Sequence, residues 1–235
     1  MPMERFKRWV RGLRSEKGPS TGEGAGAPPV RREPETAATA PVYERHSHGL
    51  EQFFAQIQQE AGVRLLDLGG VTQANVAFIT GLGHKLYAED FPRELARLAA
   101  GGVAGHGEEI DPAVVRDFLD RNLGFPEGCF DGVLLWDTLE FMPPPLLEAT
   151  VARLRSIMKA GAYLLAFFHA AERPAEVPVY CYRIADASTL HLAQLAARRP
   201  EQLFNNRAIE RLFEEFESVK FFLARDHLRE VIVRR

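Results

Sequence analysis

The stretch VRLLDLGGVTQANV, residues 63 to 76, has the composition of a ligand-binding turn between a strand and a helix. Its apolar first part ends at Asp67, and Gly69 and Gly70 follow closely. Glycine lets the backbone approach a ligand closely, and the first N–H groups of a helix are free to bind one. The stretch therefore predicts a site for a nucleotide-like cofactor, although a tight strand-to-helix turn would need the same glycines.

An acidic pair follows the next apolar stretch of the chain. Asp90 lies 23 residues after Asp67, a separation at which an acidic side chain can bind the hydroxyls of a ribose. Glu89 and Asp90 also precede Pro92, so either acid could instead cap the N-terminus of a helix. The spacing alone leaves both interpretations open.

The elements that position these residues are predicted from hydrophobic periodicity. Short, almost continuously apolar segments predict buried parallel strands, and segments with helical periodicity lie between them. The resulting fold class is α/β, a doubly wound and mostly parallel sheet. Residues 218–225 and 228–235 predict a terminal antiparallel hairpin, whereas residues 171–189 show no regular pattern. In such a sheet, ligands bind beyond the carboxyl ends of the strands.

Four segments of the chain resemble class I S-adenosylmethionine-dependent methyltransferases. They are LDLGG, YAEDFPREL, GFPEGCFDGVLLWDTLEFM and VARLRSIMKAGAYLLAFF, and the resemblance covers roughly residues 47 to 170. The third segment, which is similar to the family's entry into its fourth strand, is the most specific. The resemblance implies a Rossmann-like sheet with an antiparallel C-terminal hairpin and S-adenosyl-L-methionine as cofactor. It also implies methyl transfer to an acceptor that we expect to be a small molecule.

The resemblance implies a set of site residues. Gly69 and its neighbours would face the methionine moiety of the cofactor, and Asp90 would face the ribose. Asp120 would face the adenine, although it could equally be an acid on a helix surface. Trp136 and Asp137 would flank the sulfonium and the methyl acceptor. The predicted cofactor-binding residues are Asp67, Gly69, Gly70, Asp90, Asp120 and Trp136.

The glycine motif departs from the family pattern. The family has Asp or Glu followed by three glycines at alternate positions, and the corresponding residues here are Asp67, Gly69, Val71 and Gln73. Val71 and Gln73 add side chains where the cofactor normally meets bare backbone, which predicts an altered or tightened pocket. A catalytically inactive, methyltransferase-like binding or scaffold module is the alternative function.

Few catalytic groups are needed for methyl transfer. The protein must align the nucleophile with the methyl group, and an acid–base residue is required only when the nucleophile has to lose a proton. The predicted catalytic residues are Asp137 and His169, and Glu140, Tyr180 and Tyr182 are further candidates on the acceptor side. The alternative for His169 is a strand-end histidine hydrogen-bonded to backbone, and the alternative for the tyrosines is packing of a lid.

Three regions are predicted along the chain. Residues 1–17 are basic, and an apolar face within residues 3–15 predicts an amphipathic helix that weakly contacts an anionic membrane surface or a protein. A solvated terminus is the alternative for this segment. Residues 18–42 are rich in Gly, Pro and Ala and predict a disordered linker. Residues 43–235 form the predicted methyltransferase-like domain.

Composition and motifs limit the classes of function. The formal net charge of −3 gives no general attraction to nucleic acid, and no apolar run is long enough to span a membrane. The N-terminus lacks the apolar core of a signal peptide, so we expect a cytoplasmic protein, with peripheral membrane attachment as an option. Cys129 and Cys181 lack metal-ligand spacing. His46 and His48 have no carboxylate or cysteine partner at ligand spacing, so no metal site is predicted.

Overall fold

The structure of the chain is a computed structural model, and it describes residues 41–235 apart from 58–61, 102–109, 171–174 and 223–227. The predicted amphipathic helix and nearly all of the predicted linker lie outside the described residues. Val42 already begins a strand, one residue before the predicted start of the domain. None of the helices in the described part of the chain is long and apolar enough to cross a membrane.

The described strands form two sheets. The strands are β1 (Val42–His46), β2 (Arg64–Asp67), β3 (Lys85–Ala88), β4 (Phe130–Trp136), β5 (Met158–His169), β6 (Val177–Ile184), β7 (Thr189–Arg198), β8 (Ser218–Phe222) and β9 (Leu228–Arg234). The main sheet has the order β3-β2-β4-β5-β9-β8. β2 to β5 run parallel, and β9 is antiparallel to both β5 and β8. The predicted mostly parallel sheet and its antiparallel C-terminal hairpin are therefore confirmed.

The helices cover both faces of the main sheet. They are α1 (His48–Ile57), α2 (Gln73–Gly81), α3 (Phe91–Ala100), α4 (Pro112–Asn122), α5 (Pro144–Ile157) and α6 (Asn206–Leu212). The adjacent residues Leu65 and Leu66 of β2 belong to different buried clusters, because successive side chains of a strand point to opposite faces. Asp111 caps α4 by accepting a hydrogen bond from the Ala113 N–H at 2.8 Å.

A second, antiparallel sheet has the order β1-β7-β6. The prediction of irregular structure over 171–189 is wrong for β6. A bulge lies between Val179 and Tyr180. The buried side chains of β6 are Val177, Val179, Tyr182 and Ile184. The bulge breaks the alternation of buried and exposed residues by which a strand is identified in a sequence, and so it hides β6.

Candidate active site

The predicted cofactor turn lies at the switch point of the main sheet. The chain goes from β2 to β3 on one side and later places β4 on the other side, so the carboxyl ends of β2 and β4 are adjacent. Asp67 ends β2, and Gly69 and Gly70 come after it. Thr72 then caps α2 by accepting a hydrogen bond from the Asn75 N–H at 3.1 Å. The turn is therefore placed where ligands bind in open α/β sheets.

The indole of Trp136, at the end of β4, lies against Gly69. Its Nε1–H donates a hydrogen bond of 2.7 Å to Asp67 Oδ1, across the switch point. A Cβ added to Gly69 would lie 2.5 Å from Trp136 Cδ1, so only glycine leaves room for the ring. Trp136 has a φ of 56°, in the left-handed region that bulky residues rarely enter. The side chain predicted to flank the cofactor thus fills the space beside the first glycine of the turn.

The carboxylate of Asp67 is enclosed by donors from the protein. In addition to the hydrogen bond from Trp136, the carboxylate accepts hydrogen bonds from the Gly69 N–H at 2.9 Å and from Asn75 Nδ2 at 2.8 Å. Burial raises the pKa of Asp67 above its ordinary value, although the three hydrogen bonds oppose the shift. Asp67 therefore orders the turn from the inside.

Asn75 is a site residue that the sequence reasoning missed. Its Nδ2 also donates to the Tyr182 carbonyl at 3.1 Å, and its Oδ1 accepts a hydrogen bond from the Ile184 N–H at 2.8 Å. The Tyr182 ring stacks on Trp136, with 4.8 Å between centroids and 5° between planes. Asn75 therefore fastens β6 and its tyrosine onto the turn. The only signal in the sequence is a second amide, after Gln73, in the first turn of α2.

Asp90 meets the turn by direct contact. Gly70 has a φ of 89°, and a Cβ there would lie 3.3 Å from Asp90 Cγ. The Gly70 N–H donates to the Glu89 carbonyl at 3.1 Å. The Asp90 carboxylate accepts a hydrogen bond from the Arg93 N–H at 3.1 Å and so caps α3. The structure brings Asp90 to the glycines, in the helix-capping role that was the alternative interpretation.

Asp120 lies apart from the turn, whereas Tyr180 packs beside it. Asp120 is exposed in the last turn of α4, so the adenine role, which assumed a strand end, has no support there. Its position is that of a helix-surface acid. Tyr180 lies on β6 and contacts Tyr182 edge to face, with 6.1 Å between ring centroids.

A second group of polar side chains lies beyond the carboxyl ends of β4 and β5. Asp137 follows β4, Glu140 lies on the short 3₁₀ helix Thr138–Phe141, His169 ends β5 and Tyr182 comes from β6. All four side chains belong to residues that are at most 4% exposed. Glu140 accepts hydrogen bonds from the His169 backbone N–H at 3.0 and 3.1 Å, and its Oε2 lies 2.5 Å from His169 Nδ1. The two predicted catalytic residues, Asp137 and His169, interact electrostatically within this group.

Three polar atoms of this group make no hydrogen bond of ordinary geometry with the described residues. They are His169 Nε2, Asp137 Oδ2 and Tyr182 Oη. The Pro178 carbonyl nevertheless contributes to raising the pKa of His169, and the Tyr182 hydroxyl contributes to lowering the pKa of Asp137. Because most buried polar atoms in proteins have a partner, three such atoms in one place indicate a site for a polar ligand.

Burial and mutual charge set the protonation of the group. Burial raises the pKa of Asp137 to about 7, although His169 and Tyr182 oppose the shift. Burial alone would lower the pKa of His169, but the hydrogen bond and charge of Glu140, with the charge of Asp137, outweigh it and raise that pKa. The raised pKa values of Asp137 and His169 therefore keep part of the group protonated near neutral pH, so the group is able to donate or accept a proton.

The Trp136 indole restricts the space for S-adenosyl-L-methionine at the turn in the described conformation. The glycine backbone, the N-terminus of α2 and Asp90 are adjacent, as a bound cofactor would need. However, the Trp136 indole and the Asp90 carboxylate occupy the space into which side chains at Gly69 and Gly70 would extend. The cofactor would fit at this turn only after the indole has left Gly69.

Similarity to known proteins is found at the level of structure. No protein-family model matches the sequence, and no curated protein matches it. One similar structure is a Burkholderia thailandensis 1,6-didemethyltoxoflavin N1-methyltransferase with bound 1,6-didemethyltoxoflavin and S-adenosylhomocysteine, at 14% identity and a TM-score of 0.45, over 80% of this chain and 76% of that chain. Another is a SAM-dependent methyltransferase from Archaeoglobus fulgidus, at 14% identity and a TM-score of 0.46, over 79% and 91% of the two chains. The sheet order with antiparallel C-terminal strands agrees with the Rossmann-like fold that the sequence resemblance implies.

Proposed function

We propose that this chain transfers a methyl group from S-adenosyl-L-methionine to a small molecule whose nucleophile carries a proton. The observation that carries the proposal is the buried group Asp137, Glu140, His169 and Tyr182 next to the glycine turn. An oriented histidine whose Nε2 makes no hydrogen bond of ordinary geometry with the described residues is suited to remove a proton from a hydroxyl or an amine. The class I methyltransferase fold supports the same function, because it places this group beside the turn.

Each residue of the group has a role that follows from its contacts. Glu140 holds the His169 ring at Nδ1, which leaves Nε2 as the atom that accepts the proton of the nucleophile. The charge of Asp137 stabilises the imidazolium that results. The Tyr182 hydroxyl is available to donate a hydrogen bond to the acceptor molecule. S-adenosyl-L-methionine, when bound, supplies a methyl group activated by its sulfonium.

Trp136 has to leave Gly69 before a cofactor binds at the turn. Its side chain is hydrogen-bonded to Asp67 and stacked on Tyr182, and the residue is 1% exposed. The free energy of breaking these contacts is subtracted from the intrinsic binding free energy of the cofactor. We therefore expect a variant without the indole to bind more tightly than the wild type.

Calorimetric titration with S-adenosylhomocysteine tests the proposal. We expect a Kd of about 1 µM for the wild type and binding at least about tenfold tighter for Trp136→Ala, since the closed conformation no longer competes. The chain has two tryptophans, so Trp9→Phe is a control that leaves Trp136 as the only indole fluorophore. The fluorescence emission of Trp136 in this variant should shift to longer wavelength as the ligand displaces the buried ring. A flat titration of the wild type, with an intact circular dichroism spectrum, contradicts the proposal.

A catalytically inactive, methyltransferase-like module is the second candidate, and the packing of Trp136 favours it. Gly69 is required by the indole, and Gly70 is required by its positive φ. Neither glycine therefore needs a cofactor to explain it. For such a module the same titration is flat for the wild type, and any binding is confined to Trp136→Ala.

A further inference from the structure

Three exposed side chains converge where β1 ends and α1 begins. His46 is the last residue of β1, His48 is the first residue of α1, and Glu51 lies one turn further along that helix. Their side chains are 53%, 61% and 52% exposed. The prediction that the two histidines lack a carboxylate at ligand spacing is wrong. The helix begins at His48, so Glu51, three residues later, lies on the same side of the helix as His48 and close to both histidines.

The three possible ligand atoms have nearly the spacing of a metal site. His46 Nε2 lies 3.2 Å from His48 Nδ1. Glu51 Oε2 lies 3.6 Å from His48 Nδ1 and 3.9 Å from His46 Nε2. Tetrahedral zinc with bonds of about 2.0–2.1 Å places its ligand atoms about 3.3–3.4 Å apart. Rotations of these exposed side chains are sufficient to close a difference of a few tenths of an ångström.

The backbone around the two histidines is held from inside the protein. Side chains alternate between the two sides of an extended segment, so His46 and His48 face outward while Arg45 and Ser47 face inward. Arg45 forms a buried ion pair with Glu230, and the Ser47 hydroxyl donates to the same carboxylate at 3.0 Å. The inward contacts therefore fix the positions from which the two imidazoles project.

We propose that His46, His48 and Glu51 bind a divalent transition-metal ion, with Zn²⁺ as the preferred occupant. Two imidazole nitrogens and one carboxylate oxygen suit Zn²⁺, whereas Mg²⁺ and Ca²⁺ prefer sites made of oxygen ligands. The two rings meet edge to face with 4.5 Å between centroids, so they do not stack over each other's nitrogens. Three protein ligands leave the fourth tetrahedral position for water or an external ligand.

A bound ion would join the two sheets of the domain through their connecting segment. In the described residues β1 pairs with β7 alone and so belongs to the second sheet, whereas α1 packs on β5 and β9 of the main sheet. His46 comes from the strand, and the other two ligands come from the helix. Because the ion binds the arranged ligands of the native state, it should raise the stability of the domain.

Zinc titration calorimetry of the full chain, purified without a polyhistidine tag, tests this proposal. We expect one Zn²⁺ per chain, and binding weakened at least about tenfold in His46→Ala, His48→Ala and Glu51→Gln, since each removes one of three ligands. His191→Ala is the matched control and should bind as the wild type does. His191 is also exposed and lies 3.6 Å from the Glu44 carboxylate, but the described residues offer that pair no third ligand.

Thermal unfolding gives an independent readout. Zn²⁺ should raise the Tm of the wild type and of His191→Ala, and it should leave the Tm of Glu51→Gln unchanged. Glu51→Gln keeps the shape of a surface side chain, so its circular dichroism spectrum should match the wild type. Mg²⁺ should not change the Tm of the wild type or of Glu51→Gln. The proposal is overturned by a wild type that binds no Zn²⁺, or by stoichiometric binding that persists in both His46→Ala and Glu51→Gln.

Discussion

Glu230 on β9 and His169 at the end of β5 are each at the centre of a buried polar group, and the two groups differ in how their atoms are paired. The Glu230 carboxylate accepts hydrogen bonds from the Arg45 guanidinium, from the Ser47 hydroxyl at 3.0 Å and from the Gly49 N–H. Around His169, three polar atoms have no partner of ordinary geometry within the described residues. One group is complete, and the other has capacity for further hydrogen bonds.

This difference predicts that the two groups contribute differently to the stability of the fold. Removing one member of a complete buried ion pair leaves an uncompensated charge in the interior. Removing a buried polar atom without a partner takes away a desolvation cost. Conservative substitutions should therefore destabilise the Glu230 group strongly and the His169 group little or not at all.

The largest effect is expected for Glu230→Gln. The substitution removes the carboxylate charge of the buried Arg45–Glu230 ion pair, which should lower the free energy of unfolding by about 3–5 kcal/mol. Glu217→Gln is the matched control, since Glu217 is paired with Arg234 at 2.6 Å while both side chains are about half exposed. We expect the control to change stability by less than about 1 kcal/mol. Urea denaturation followed by circular dichroism measures both, and equal effects would remove the contrast between the two groups.

An intermediate effect, confined to high pH, is expected for Asp137→Asn. Because burial raises the pKa of Asp137 to about 7, the folded protein keeps a proton that the unfolded chain, with a pKa of about 3.9, has already lost. This contribution is fully present below about pH 4 and is lost as the pH rises through about 7. Between pH 5.5 and 8 it should lower the stability of the wild type by about 2 kcal/mol, a slope that the asparagine variant lacks.

Urea denaturation of wild type and Asp137→Asn at both pH values measures that difference. The raised pKa of His169 contributes a loss in the same direction as the pH rises, but the histidine is present in both proteins. The difference between the two slopes therefore reports the titration of Asp137 together with its effect on the pKa of His169. Parallel stability curves for the two proteins would mean that Asp137 is ionised at both pH values.

The smallest effect is expected for Tyr182→Phe. The variant keeps the ring that stacks on Trp136 and loses a hydroxyl without a partner of ordinary geometry, so stability should change by less than about 1 kcal/mol. Tyr163→Phe is the comparison, because the Tyr163 hydroxyl bonds Gln56 at 3.1 Å and its loss should cost about 1 kcal/mol. A larger loss for Tyr182→Phe than for Tyr163→Phe, again by urea denaturation, would show that the Tyr182 hydroxyl is fully paired.

The fold and the neighbourhood of the turn were predictable from local patterns. Apolar segments alternating with helical ones predict the parallel sheet, and Asp90, 23 residues after Asp67, does lie beside the glycines. The presence of Asp137 and His169 in one group also follows from strand order, because Asp137 follows β4, His169 ends β5 and these strands are adjacent. The bulged strand β6 was hidden, since its register shifts between Val179 and Tyr180.

The sequence by itself determined the order of strands and helices and the presence of two glycines after β2, because periodicity and backbone freedom are local properties. Only the tertiary structure decided what occupies the space beside Gly69. The Trp136 indole reaches that space by bonding to Asp67, 69 residues earlier in the chain, and by adopting a left-handed φ. Contacts at this separation depend on how β2, β4 and β6 meet in space, and no spacing rule within one segment contains that information.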